Sequence, residues 1–234
     1  MKKISKKIII GSGLIVVLLG SVWYFLGHQK INEAAPVLKT ESATTPEKAF
    51  RIVAFGDSLT AGYGLSLEES YPALLEKELS QRGMSVEVIN SGVSGETSAG
   101  GVRRAEFIRS LEPDVVLFGL GGNDALRLLP SEDLEKNLTT SLEILLAGDT
   151  PPKVLLLGMR APGNADTQYR TSFDAVYPKL AKKYSLSLVP FFLEGVALNP
   201  EYSLPDGIHP NEAGYRIIIE KNILPKLLPL LSTE

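Results

Sequence analysis

From about residue 50 onward the chain alternates short apolar runs with longer amphipathic ones. The short runs, at 51–56, 86–90, 114–120, 153–158 and 186–190, have the length and composition of β-strands. Between them, apolar positions recur at helical spacing over 70–82, 98–110, 131–147 and 168–184, and a last helix is predicted over 211–223. Gly83 stands where a glycine closes the first helix, and Ser131-Glu132-Asp133 offers the third a cap and an acidic first turn. In the fourth, Phe173, Val176, Tyr177, Leu180 and Ala181 share one face, which is expected to be the core face. Strand centres such as Val115-Val116-Leu117-Phe118 are apolar on both sides, as they are in a parallel sheet covered on both faces. The pattern therefore predicts an α/β domain of three layers, α/β/α, around a central five-stranded parallel sheet. No internal repeat is present.

The first 48 residues depart from this pattern. Lys2, Lys3, Lys6 and Lys7 precede an uncharged run from Ile8 to Leu26, about long enough to span a bilayer as a helix. With the lysines on the cytoplasmic side, everything beyond residue 27 is expected outside the cytoplasm. The run is long for a signal peptide and ends in the bulky Val22-Trp23-Tyr24-Phe25, and Ala34-Ala35 lies well downstream. An uncleaved anchor is therefore expected rather than a released leader. Residues 28–48 read as a polar, proline-punctuated tether. The predicted organisation is a membrane segment over 1–27, a flexible linker over 28–48 and one globular domain over 49–234, expected to be monomeric.

Composition narrows the chemistry. Of 234 residues 44% are hydrophobic and 22% charged, enough to build a sizeable core, and the net charge is only −3. No dense Lys/Arg stripe lies outside the N-terminus, so nucleic acid is not expected as a partner. There is no cysteine, which excludes disulfides, thiolate-bound metal and a thiol nucleophile. Beyond the tether, which holds His28, the chain has one histidine, His209.

In open parallel sheets ligands bind at the carboxyl ends of the strands. Three polar, glycine-rich turns follow predicted strands: Gly56-Asp57-Ser58-Leu59, Ser94-Gly95-Glu96-Thr97 and Gly121-Gly122-Asn123-Asp124. His209 lies in Leu204-Pro205-Asp206-Gly207-Ile208-His209-Pro210-Asn211, just before the last helix. At three residues' distance, across a turn made by Gly207, Asp206 can accept the Nδ1 hydrogen of His209 and leave Nε2 free to take a proton from a serine. Ser58, at a strand-to-helix turn, is the leading nucleophile. Ser94 is a competitor, and neither lies in a Gly-x-Ser-x-Gly elbow. Asp57 and Asp124 are expected to bond to backbone in their turns. A different chemistry would use Asp57, Asn123, Asp124, Asp206 and His209 as ligands of two metal ions, for which a single histidine is thin.

Taken together and in order, four blocks resemble the GDSL or SGNH hydrolase family, most closely its bacterial periplasmic thioesterase, lysophospholipase and arylesterase branch. They are Gly56-Asp57-Ser58-Leu59-Thr60-Ala61-Gly62-Tyr63, Asn90-Ser91-Gly92-Val93-Ser94-Gly95-Glu96-Thr97, Gly121-Gly122-Asn123-Asp124 and Asp206-Gly207-Ile208-His209-Pro210. The resemblance covers about residues 50–230, and departs from the usual pattern at Glu96, where aspartate is often found. It implies a flavodoxin-like sheet, Ser58 as nucleophile, His209 as base and Asp206 as its orienter. It also implies an oxyanion hole of the Ser58 and Gly95 N–H groups and the Asn123 amide, with no metal and no cofactor. The implied substrate is a small acyl ester or thioester such as a lysophospholipid, acyl-CoA or aryl ester, with acetylated polysaccharide as the alternative for the same triad. A non-catalytic binding module would require a broken triad. Leu126 and Leu128 in the run 125–130, the segment Leu65-Ser66-Leu67, and Pro162 in the loop 160–165 are the candidate acyl-chain contacts.

Overall fold

The computed structural model describes residues 49–232. Five strands, β1 (Phe50–Gly56), β2 (Val86–Gly92), β3 (Val115–Gly119), β4 (Lys153–Leu157) and β5 (Ser187–Val189), form one parallel sheet in the order β2-β1-β3-β4-β5. The chain steps from β1 to β2 on one side and then to β3 on the other, so the switch point lies between β1 and β3. The crevice that opens at such a point is where this topology binds ligands. Register sharpens it: Gly56 pairs with both Gly92 and Gly119, so three strands end level and their loops leave from one edge.

Side chains alternate along each strand and so face opposite layers. Ile52, Ala54, Val115, Leu117, Leu155 and Leu157 meet one apolar cluster; Val53, Phe55, Val116, Phe118, Val154 and Leu156 meet the other. Nine α-helical segments are described: α1 (Ser58–Ala61), α2 (Tyr71–Gln81), α3 (Ser98–Ser110), α4 (Gly122–Leu126), α5 (Ser131–Leu145), α6 (Thr167–Asp174), α7 (Val176–Tyr184), α8 (Glu212–Ile217) and α9 (Leu224–Leu231). The first cluster is closed by α2, α8 and α9, and the second by α3, α5, α6 and α7. The result is the expected α/β/α sandwich.

Several local expectations change. The helix predicted over 168–184 is two helices interrupted at Ala175. Pro178 has no N–H to offer the Asp174 carbonyl, so regular bonding lapses there. Its apolar face is as expected, with Phe173, Val176, Tyr177, Leu180 and Ala181 all buried. Ser131 does not cap α5: Pro130 holds the cap position, and the Ser131 hydroxyl donates to Ser172 Oγ at 2.8 Å. Glu132 and Asp133 do fill the first turn, and Gly83 does follow α2 with a left-handed φ of +81°. The last helix does not stop at 223. It passes through a π-helical stretch, Ile218–Ile223, into α9 and ends at Leu231. The wider turn carries the chain past Pro225, whose missing N–H would interrupt α bonding. Helices α1 and α4, at four and five residues, are too short for a periodicity to show.

Among the described residues no helix is long and apolar enough to cross a membrane. The predicted membrane segment and tether lie outside the described residues.

Candidate active site

The site begins where β1 turns. A Cβ on Gly56 would lie 2.1 Å from Thr60 Oγ1 and 2.6 Å from the Gly119 carbonyl oxygen, so the chain can fold this sharply only with glycine there. Asp57 then caps α1, its Oδ1 accepting the Leu59 N–H at 3.0 Å. Ser58 is therefore the first helical residue, half-buried at the strand edge. Behind it, Tyr215 Oη donates to the Leu59 carbonyl at 2.8 Å and ties α1 to α8.

His209 reaches the same edge from the loop before α8. Asp206 organises that loop: Oδ1 accepts the Ile208 N–H at 2.9 Å and the His209 N–H at 3.0 Å, while Oδ2 lies 2.6 Å from His209 Nδ1. Gly207 supplies the turn with φ +68°. The other ring nitrogen, Nε2, lies 2.9 Å from Ser58 Oγ. Ser94 lines the same cleft, yet the histidine meets Ser58. The Tyr63 ring packs on the imidazole with centroids 4.7 Å apart, a contact across chain distance that no local pattern announces.

The other two loops converge as well. Gly95 is exposed on the second, at φ +80°. Asn123 lies in the first turn of α4, where Gly121 enters the helix at φ +114° and Asn123 Nδ2 donates to Asp57 Oδ2 at 3.3 Å. Asp124 is buried and accepts the Ser98 N–H at 2.8 Å and the Ser98 hydroxyl at 2.5 Å. Ser58, Gly95, Asn123 and His209 thus line one cleft of about 570 Å³. Leu126 and Pro162 line it too.

Leu128 does not belong to this lining. Its backbone turns left-handed at φ +51°, and the residue is exposed. The segment Leu65-Ser66-Leu67 also falls outside: Leu65 packs against the core, and Leu67 opens a 3₁₀ turn capped by Ser66 and Glu69. The wall that sequence reasoning missed comes from after β5, where Phe191, Leu193 and Leu198 line the cleft together with Ile208. The apolar run Phe191-Phe192-Leu193 was a signal, but only the fold tells which of its members face the cleft.

Two carboxylates carry opposite electrostatics. Burial pushes Asp57 up to about 6, against the Leu59 N–H, the Asn123 amide and the nearby His209, all of which favour its charge. Burial acts on Asp206 in the same sense but is outweighed by the N–H groups of His209 and Ile208 and by the ring, which hold it down at about 2. The raised Asp57 keeps its proton in the fold over a range where the unfolded chain has lost it. Its contribution to stability is complete below about pH 4 and shrinks as pH rises to about 6. The depressed Asp206 works the other way, stabilising above about pH 4 and losing that as pH falls towards 2. Asp57→Asn removes the first effect. Its unfolding free energy relative to wild type should therefore improve by up to roughly 3 kcal/mol between pH 4 and 6, at ~1.4 kcal/mol per pKa unit. Urea midpoints at three pH values measure it, and a constant difference across that window contradicts the assignment.

Among the described residues no group of three or more His, Asp or Glu side chains is placed to hold a metal ion. Each aspartate of the alternative ligand set turns to a different protein partner.

Residues 54–217 match the GDSL-like lipase/acylhydrolase family. This chain belongs to that family. Similar curated proteins include the esterase TesA of Pseudomonas aeruginosa, 39% identical over 198 residues, which are 84% of this chain and 95% of that protein. The thioesterase 1/protease 1/lysophospholipase L1 of Escherichia coli is 39% identical over 78% of this chain and 86% of its own length. Among solved structures, a crystal structure of TesA superposes with a TM-score of 0.73 at 39% identity, covering 77% of this chain and 99% of that one. With these relatives and this fold, the family member described here is a serine hydrolase of ester bonds.

Proposed function

We propose that Ser58 is the nucleophile, His209 the base and Asp206 the residue that orients it, in an enzyme cleaving carboxylic esters and thioesters through an acyl-enzyme. The observation that carries this reading is the unbroken relay from Asp206 Oδ2 to His209 Nδ1 at 2.6 Å and from Nε2 to Ser58 Oγ at 2.9 Å. With Nδ1 holding its hydrogen towards Asp206, Nε2 is left bare and accepts the serine proton as Oγ attacks the carbonyl carbon. The imidazolium then gives that proton to the departing alcohol or thiol. Water, activated by the same nitrogen, releases the acyl group. The tetrahedral oxyanion is received by the N–H groups of Ser58 and Gly95 and the Asn123 amide, donors already in place before the charge develops.

The acyl chain is assigned to the apolar wall of Leu126, Pro162, Leu193, Leu198 and Ile208. That wall favours acyl groups longer than acetyl, and the Escherichia coli relative named as a thioesterase and lysophospholipase supports that substrate class. The uncharged run Ile8 to Leu26 behind four lysines is the basis for proposing an N-terminal anchor over 1–27, a linker over 28–48 and an extracytoplasmic hydrolase domain from 49 onward.

The test is one substrate panel on the full chain in detergent: chromogenic esters from acetyl to palmitoyl, acyl-CoA and lysophospholipid, with and without chelator. The expected result is cleavage that chelator leaves unchanged, with the highest kcat/KM above acetyl. An optimum at acetyl redirects the reading to sugar deacetylation, and loss of activity on chelation removes the triad mechanism.

A further inference from the structure

Arg104, on α3, lines no part of the cleft, yet its guanidinium joins three segments that build it. Nε donates to both carboxylate oxygens of Glu96, at 2.9 and 3.1 Å, and Nη2 donates to Glu96 as well. Nη2 also reaches the Gly56 carbonyl at 3.2 Å, while Nη1 donates to the carbonyl and hydroxyl of Ser91, at 3.0 and 3.1 Å. The group lies over the Phe55 ring, 4.9 Å from its centroid. Gly56 comes two residues before Ser58, Ser91 is near the end of β2, and Glu96 directly follows Gly95.

A tie needed only to pack α3 on the sheet would be served by an apolar side chain. Taking a charge pair out of water costs solvation, and replacing such a pair with apolar residues is often neutral or stabilising. Here the side chains are largely withdrawn from water, 21% exposed for Arg104 and 9% for Glu96. What a planar five-donor fork supplies, and an apolar contact does not, is fixed distances and angles among the groups it joins. Glu96 is also confined from the other side: a Cβ on Gly100 would come within 2.5 Å of its Cγ, so α3 carries a glycine where Glu96 crosses it. Beyond Gly95, its carbonyl accepts Arg127 Nη2 at 2.9 Å, from the residue that closes the helix bearing Asn123. Gly95 is thus tied through its carbonyl to Arg127 and through the next residue to Arg104.

We infer that Arg104, acting through Glu96, is a positioning residue that sets the separation between Ser58 and the Gly95 N–H of the oxyanion hole. This rests on the triad and oxyanion assignments proposed above. A displaced donor weakens binding of the tetrahedral state far more than binding of the substrate, so the loss falls on kcat and leaves KM nearly unchanged.

The experiment compares Arg104→Lys, Glu96→Gln and Ser58→Ala in the full chain. Arg104→Lys is expected to lower kcat for a short-chain ester about 10- to 100-fold, with KM within about threefold, as donor misplacement on the ångström scale does. Inactivation by a phosphonate ester, which places a charged oxygen in the hole, should slow by a similar factor while circular dichroism and melting stay near wild type. Glu96→Gln keeps the side chain's shape and should lower kcat about tenfold at unchanged KM, for the same misplacement. It decides the matter if Arg104→Lys fails to fold. Folded variants with wild-type kcat, or losses that only track the folded fraction, overturn the inference. Failure of the underlying reading shows separately, as activity surviving in Ser58→Ala.

Discussion

Ser58→Ala is expected to lower kcat for a simple ester by a factor on the order of 10⁶, with no loss of the folded state. The size follows from the role proposed for the hydroxyl: its oxygen lies 2.9 Å from His209 Nε2, and an enzyme stripped of its nucleophile forms no acyl-enzyme. The fold should be indifferent. Ser58 opens α1 without capping it, because the cap bond to the Leu59 N–H comes from Asp57. Nor is its backbone N–H removed, so a residual rate over water is expected to persist through the proposed oxyanion donors. If the proposed triad acts as a unit, as such triads do, Ser58→Ala with His209→Ala should be no slower than Ser58→Ala alone. Initial rates with a chromogenic ester and a thermal melt measure both halves, and a loss below tenfold would remove Ser58 as nucleophile.

Asn123→Ala has the second largest expected effect, a fall of ~100- to 1000-fold in kcat with KM little changed. Its amide nitrogen carries two hydrogens. One is spent on Asp57 Oδ2 at 3.3 Å, which fixes the side chain's direction, and the other is free for an oxyanion. A donor held in this way needs no rearrangement when charge develops on the substrate, so its loss appears in the chemical step rather than in binding. The cost to stability is modest, about 1–3 kcal/mol at most, since Asp57 keeps the Leu59 N–H and its burial favours the protonated form. Steady-state kinetics separate the outcomes. A raised KM with wild-type kcat would make Asn123 a ground-state contact instead.

Much of the architecture was legible because burial on two faces leaves a local trace. Val115 to Phe118 could be apolar at every position only if both faces of their strand were covered, and helical spacing between such runs called for crossover helices. Helix ends were less legible because they depend on neighbours. Ser131 offered a capping hydroxyl, but Pro130 holds the cap position and the hydroxyl instead donates to Ser172, 41 residues away. Leu126 and Leu128 also part ways: the first lines the cleft, while the second, at a left-handed backbone step, is not among its lining residues.

The chemistry was readable where chain-local constraints are tight. A chain with no cysteine and one histidine beyond the tether allows one imidazole base, and the three-residue step from Asp206 to His209 makes their bond a property of one turn. Strand order, the level ending of β1, β2 and β3, the meeting of Ser58 with a histidine 151 residues away, and the wall of Leu193 and Leu198 were decided by tertiary structure. So was the place of Arg104, an unremarked helix residue until its six contacts with Gly56, Ser91 and Glu96 are seen. The physical reason is the same in each case: such contacts are set by which elements pack together, and packing is a sum over distant residues that no local window contains.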